Sequence, residues 1–343
     1  MKALSRPALL SAGLAVFVWQ ACRTEGCCGP VHSFFSVYVG VRLDSAAFRS
    51  NGKFLLELVP TDQTGQAFVS DSWNISTTLE EPASVAVTLD SQRVQPADSR
   101  AAAAAIHIDD SGSMLHNDKD SRRATAAQLF WNELLGAGGG NLVALLDFGR
   151  GTPDTPSPGF RATRLLQSFT SDASLLDAKL SSIQAAAGGG TRLYRSAWEV
   201  ARWFDTTVAA NSHKRTLVII TDGMPRDTLG YKDSLFAATA AAQIRILAVG
   251  VGPASDHGTE SVDSAVAVLR ELATQTNGVY AGADEAQQLE PILHALANVS
   301  TSEQLLAELR IDPVPPSGTF IAGTVTIKGK RGRATAGWSF IAP

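Results

Sequence analysis

Three separated stretches of the chain end in oxygen-bearing side chains of types that could hold a hard cation. The first is "AAAAAIHIDDSGSM" (101–114), in which an apolar run stops at Asp109 and is followed by Ser111 and Ser113 at alternate positions. The second is "GGGT" (188–191), which ends on Thr191; the third is "TDG" (221–223), which contains Asp222. Together they supply two carboxylates and three hydroxyls, with no sulfur and no imidazole. Such a donor set suits Mg²⁺, with Mn²⁺ or Ca²⁺ as substitutes, and not zinc or copper. Two carboxylates neutralise a divalent ion and hydroxyls add neutral donors. An octahedral ion held this way keeps positions that a carboxylate from outside can take. Each piece alone has a plainer reading. Asp109, Ser111 and Ser113 could cap a helix and satisfy turn amides, Thr191 could be an N-cap, and "TDG" is a common turn. The joint occurrence favours the metal site.

The elements that must position these residues are legible from the hydrophobic pattern. From about residue 99 to 300, apolar β runs alternate with amphipathic helical stretches. The runs are "AAAAAIHI", "NLVALLDF" (141–148), "RTLVIIT" (215–221) and "IRILAVGVG" (244–252), and helices are expected at 121–135, 171–185, 192–209, 232–242, 261–276 and 284–297. In the third helix Leu193, Ala197, Val200, Ala201, Phe204 and Val208 recur at spacings of three and four, which makes one apolar stripe. Strands apolar on both faces and separated by helices imply a doubly wound α/β domain with a mostly parallel, Rossmann-like sheet. Ligands of such sheets bind at the carboxyl ends of the strands, where Asp109 and Asp222 stand. Asp110 is expected to point away from the site, His107 to be a packed core histidine, and His116, Arg192 and Arg226 to be surface residues beside it.

"DDSGSM", "GGGT" and "TDG", in this order and spacing, resemble the metal-ion-dependent adhesion site of von Willebrand factor A domains. "TQTNGVYAGADEAQQLEPILHAL" is similar to the closing strand and helix of that family. The resemblance covers roughly residues 100–300. It implies that Asp109, Ser111, Ser113, Thr191 and Asp222 bind the metal, that the partner is a protein presenting a carboxylate, and that the module is not an enzyme. It further implies that Thr191 binds the ion directly in one state and through water in another.

The flanks read differently. Residues 34–98 form short β segments: "SFFSVYVGVRL", "KFLLELV", "QAFVS", "WNISTT" and "SVAVTL", with no competing helical period. Residues 310–343 add "TFIAGTVTI" and "ATAGWSFIA". Two strands make a poor independent domain. The two flanks are therefore expected to build one small antiparallel β-sandwich into which the α/β domain is inserted.

Residues 1–22 read as an export signal: Lys2 and Arg6, then the uncharged "PALLSAGLAVFVW", then "QAC". Ala21-Cys22 suggests a bacterial lipoprotein signal with Cys22 lipidated, so the expected location is the cell envelope, with contact to a membrane through that lipid alone, or outside the cell if cleavage elsewhere releases the protein. Residues 23–33 are expected to be a linker. The three cysteines, Cys22, Cys27 and Cys28, leave no disulfide framework for the body of the chain. A net charge of -4 without basic blocks gives no nucleic-acid signature. Other readings stay open: an envelope protein whose metal only stabilises the fold, and, less favoured, a metal-dependent hydrolase, for which the sequence offers no convincing general base.

Overall fold

The computed structural model describes residues 36–62, 66–67, 73–149, 159–185, 190–209, 212–227, 229–255, 265–284, 286–329 and 332–343. The expected leader, the lipidation site Cys22, the linker, most of "QAFVS" and of the 149–159 loop, and two glycines of "GGGT" lie outside the described residues.

The elements run in chain order β1 (Ser36–Arg42), α1 (Ser45–Asn51), β2 (Lys53–Thr61), β3 (Asn74–Glu81), β4 (Ala86–Gln95), β5 (Ala101–Asp109), α2 (Met114–Asn117), α3 (Arg122–Gly136), β6 (Leu142–Phe148), β7 (Thr163–Thr170), α4 (Ala173–Asp177), α5 (Leu193–Thr207), β8 (His213–Thr221), α6 (Leu229–Ala242), β9 (Ile244–Val251), α7 (Ala265–Gln275), β10 (Val279–Ala283), α8 (Leu289–Thr301), β11 (Gln304–Asp312), β12 (Phe320–Gly329) and β13 (Gly332–Ile341). Ten strands form one sheet, in the order β4-β11-β2-β1-β10-β9-β8-β5-β6-β7, and β13-β12-β3 form a second.

The large sheet is mixed, not mostly parallel. Its central strands β10, β9, β8, β5 and β6 are parallel. β7 adds antiparallel at one side, and β1, β2, β11 and β4 add antiparallel at the other. Strands from both flanks thus continue the α/β sheet itself through the β1–β10 pairing, while β3, β12 and β13 stand apart as the small antiparallel sheet.

Helices cover both faces of the parallel strands, which is why those strands are apolar throughout. On one face Ile106, Ile108, Val218, Ile220 and Val249 pack with Phe130 and Trp131 of α3 and Leu293 and Leu296 of α8. On the other, Ala105, Leu217, Ile219, Ile246 and Ala248 meet α5 and α7 through Val200, Phe204, Leu269 and Leu272. A third core lies between the β1-β2-β11 extension and the three-stranded sheet, built by Leu56, Leu58, Leu309, Val325, Trp338 and Phe340. Each fully buried Leu, Ile or Phe contributes about 1.5–3 kcal/mol. The third seam is therefore a core of its own and holds the three-stranded sheet against the extension.

Two expectations about helices fail. A short helix, α1, interrupts the β-rich flank, closed at its start by Asp44, which accepts from Ala46 N and Ala47 N, and at its end by Gly52 in the left-handed conformation. The single helix expected at 171–185 is instead α4 followed by one 3-10 turn at Leu180–Ser182. Helical bonding is lost there because other groups take the backbone. Ser182 O accepts from Arg164 Nη2 at 2.9 Å, and Gln184 N donates to Asp110 Oδ2 at 3.0 Å.

Candidate metal centre

β5 and β8 are adjacent parallel strands, with Ile108 level with Ile220, so their carboxyl ends bring Asp109 and Asp222 to the same edge. Helix α5 begins at Leu193, two residues after Thr191. The structure brings all five expected residues together. Ser111 Oγ and Ser113 Oγ are 3.1 Å apart, Ser113 Oγ donates to Asp222 Oδ1 at 2.8 Å, and Thr191 Oγ1 reaches Ser111 Oγ at 3.5 Å. Asp109, Ser111, Thr191 and Asp222 are buried; Ser113 is exposed and opens the cluster to solvent.

Residues not foreseen from the sequence hold the carboxylates in place. Thr221 Oγ1 donates to Asp109 Oδ2 at 2.6 Å, Ser111 N donates to Asp109 Oδ1 at 2.8 Å, and Asn117 Nδ2 donates to Asp222 Oδ2 at 2.7 Å. Thr221 was visible as the first letter of "TDG". Asn117 stands four residues after Ser113, one helical turn on, which is the signal that could have found it. Gly149, at φ 95°, passes so close that a Cβ there would lie 2.7 Å from Asp109 Oδ1. The second and third motifs are tied to each other as well. Arg226 N donates to Thr191 O at 2.8 Å, and Asp227 Oδ2 accepts from Arg195 N at 2.5 Å in the first turn of α5.

Asp110 turns away, as expected. Its carboxylate is buried against Arg123 Nη2 at 2.8 Å, and Arg123 Nη1 also meets Asp118 Oδ2 at 2.7 Å. His107 is wholly buried beside Phe148, with both ring nitrogens lacking a hydrogen-bond partner among the described residues, and burial holds its pKa down to about 3. His116, Arg192 and Arg226 are exposed.

The donor set fits a hard divalent cation. Burial pushes the Asp109 carboxyl up to about 6; hydrogen bonds from Thr221 and Ser111 oppose this, and the charge of Asp222 adds to it. Among the described residues neither Asp109 nor Asp222 receives a hydrogen bond from Lys or Arg. Two adjacent carboxylates, one buried to this degree and neither paired with a cation, are costly unless a positive charge is supplied. Among the described residues there is also no group of three or more His, Cys, Asp or Glu placed to hold a metal, so the hydroxyls are needed to complete a donor set.

Residues 105–224, which contain all five oxygen donors, match the family model described as the von Willebrand factor type A domain. Over these residues the chain is similar to that family. The chain resembles the SpRpn10 A domain (15% identity, 58% of this chain and 95% of that one, TM-score 0.40). It also resembles the pilus adhesin SpaC from Lactobacillus rhamnosus GG in its open conformation (12%, 88% and 46%, 0.42), and the ArnB paralog VWA2 from Sulfolobus acidocaldarius (12%, 90% and 76%, 0.39). The chain thus spans about half the length of the adhesin. With TM-scores below 0.5, none of these likenesses bears on ligand or partner. No curated protein matches the sequence significantly.

Proposed function

We propose that the protein is an exported, Mg²⁺-dependent protein-binding module whose A domain captures an acidic group of a partner. The observation that supports it is the convergence of Asp109, Ser111, Ser113, Thr191 and Asp222, from three distant segments, into one cluster with a solvent-facing side at Ser113. Asp109 and Asp222 supply the negative charge, and the three hydroxyls supply neutral donors. Thr221 and Asn117 fix the carboxylates, as partners behind metal ligands generally do. Bound Mg²⁺ would offer a Lewis-acidic position to an outside carboxylate. Export, and anchoring through a lipid on Cys22, belong to the same proposal and rest on the sequence of residues 1–22.

A binding role fits the chemistry of the surroundings better than catalysis. A general base must reach the reacting atoms in a basic form. His107 lies inside the sheet, walled off from solvent. Calorimetric titration and affinity capture from envelope extract test the proposal together. Wild type is expected to bind Mg²⁺ and to retain at least one protein with Mg²⁺ but not with EDTA, and Asp109→Ala to do neither. Identical captured proteins in every lane would refute the adhesion reading. If a chelator lowers the melting temperature while all partners stay bound, the metal serves the fold.

A further inference from the structure

The end of the sheet opposite the Asp109 cluster carries a second concentration of charge. A cavity of about 990 Å³ opens there, at the upper end of the roughly 300–1,000 Å³ found for small-molecule sites. Its walls come from the amino ends of β8 and β9, the segment leading into β10, the carboxyl end of β1, the segment before β5 and the carboxyl end of α8. The eight residues of β8 from Lys214 to Thr221 place it about 26 Å from the Asp109 cluster, so the two sites share no side chain.

Four cations and two carboxylates follow one another across this end. Glu57 is wholly buried and shared by two arginines: Arg42 Nε donates to Oε2 at 2.7 Å and Arg245 Nη2 to Oε1 at 2.8 Å. Arg100 pairs with Asp98 at 2.7 Å. Between these pairs stands Lys214. Thr216 is level with Arg245 on the neighbouring strand, so Lys214 and Arg245 project from the same face of the sheet. The Lys214 ammonium donates to a neutral acceptor, Asp98 O, at 2.9 Å. Its pKa is lowered, first by burial; Asp98 opposes this, and the charges of Arg100 and Arg245 add to it.

The row therefore holds two positive charges more than it neutralises. The other charged groups of the cavity leave a positive excess. Lys53 and Glu308 pair with each other at 2.5 Å, and Asp44, which caps α1, offsets one of the two charges. From the opposite face of β8, Arg215 lines the same cavity at 4% exposure. It meets Asp205 and Ala242 O through Nη1, but its buried Nε–H has no hydrogen-bond partner among the described residues.

We propose that this cavity binds a small multivalent oxyanion, a phosphate or polycarboxylate compound, whose charge is received by Lys214 together with Arg245, Arg42 and Arg100. Crowded cations that share too few carboxylates are relieved by such an anion, and Lys214, whose one acceptor among the described residues is a carbonyl, can turn its remaining donors to it. The site is separate from the metal cluster and independent of it.

The test is thermal unfolding of the full chain, freed of divalent ions on a chelating resin beforehand, at constant ionic strength, with sodium pyrophosphate in one arm and sodium citrate in the other. A saturable rise in melting temperature is expected in at least one arm, and the arm that responds assigns phosphate or carboxylate chemistry. Lys214→Ala should raise the half-saturating concentration at least tenfold, Lys214→Arg should restore it, and Asp109→Ala should leave it unchanged. Should Lys214→Ala fail to fold, Arg100→Gln, at an exposed position, must weaken binding several-fold. A rise that never saturates, or one equal in wild type and Lys214→Ala, is the general stabilisation by excluded anions and overturns the proposal. The metal reading fails separately, through the Mg²⁺ titration.

Discussion

Arg123 offers the sharpest test of how the loop carrying Asp109 is held. Its side chain and those of Asp110 and Asp118 are fully buried, with ion-pair distances of 2.8 and 2.7 Å. Replacing Arg123 by Met keeps the volume and removes the charge, leaving two buried carboxylates facing one another. Breaking a buried ion pair in this way costs about 3–5 kcal/mol. Here the lower end applies, because both acids keep amide donors. Asp118 still accepts from the backbone N of residues 122 and 123 at 2.7 and 3.1 Å, and Asp110 from Gln184 N at 3.0 Å. The expected loss is about 3 kcal/mol, roughly a hundredfold in the folding equilibrium. Urea denaturation followed by circular dichroism, in EDTA, should show a lower midpoint with an unchanged slope. The double variant Arg123→Met/Asp110→Asn should recover at least about 1 kcal/mol, since it removes one of the stranded charges. A single variant within about 0.5 kcal/mol of wild type would mean that the triad is not desolvated, and the reasoning would fall.

Asn117→Ala frees Asp222 Oδ2, so Mg²⁺ affinity by calorimetry should drop about tenfold or more, with the metal-free melting temperature close to wild type. Gly149→Ala places a Cβ 2.7 Å from both Asp109 Oδ1 and Ser111 N at φ 95°. It should cost more than about 1 kcal/mol in urea denaturation and abolish the Mg²⁺ heat. Asp98 has its pKa lowered to about 2, chiefly by the side-chain hydrogen bonds from Arg100. Because the folded value lies below the unfolded one, the stabilisation is present above about pH 4 and disappears as pH falls towards 2. Asp98→Asn should therefore show a shallower decline in melting temperature than wild type over that window, and equal slopes would contradict the Arg100 pairing.

The oxygen cluster around Asp109 was legible because its chemistry is written in residue types and its placement in strand ends. An apolar run stopping at Asp109 and another stopping before Asp222 must, if parallel neighbours, deliver both acids to one edge. What supports the cluster was less visible, because hydrogen bonds such as Asn117 to Asp222 join residues 105 positions apart and leave no local pattern. The helix expected at 171–185 shows the opposite failure. Its apolar spacing was real, but the backbone there answers to Arg164 and Asp110, which no window of sequence contains. β7 and β11 went unread for different reasons. "QLLAELRID" is rich in helix formers, and it is a strand because β2 and β4 pair with it on either side. "TRLLQSFT" lies at the side of the sheet with mostly half-buried residues and lacks clean alternation.

The mixed sheet has a consequence for where the domain can be approached. β1 pairs with β10 and so covers what would otherwise be the terminal strand of the parallel set. The end of the sheet moves out to β4, whose residues Thr88, Asp90, Ser91, Gln92 and Arg93 are exposed. Asp90 there is paired with Arg310 at 2.7 Å. Charged, largely exposed strands at a sheet edge discourage pairing with further chains. The extension therefore closes the parallel strands on that side while leaving their carboxyl ends open around Ser113. On the proposed function, recognition is directed to the Asp109 cluster, since a strand-adding partner meets a polar edge and an acidic one would meet the cation held at the cluster's solvent-facing side.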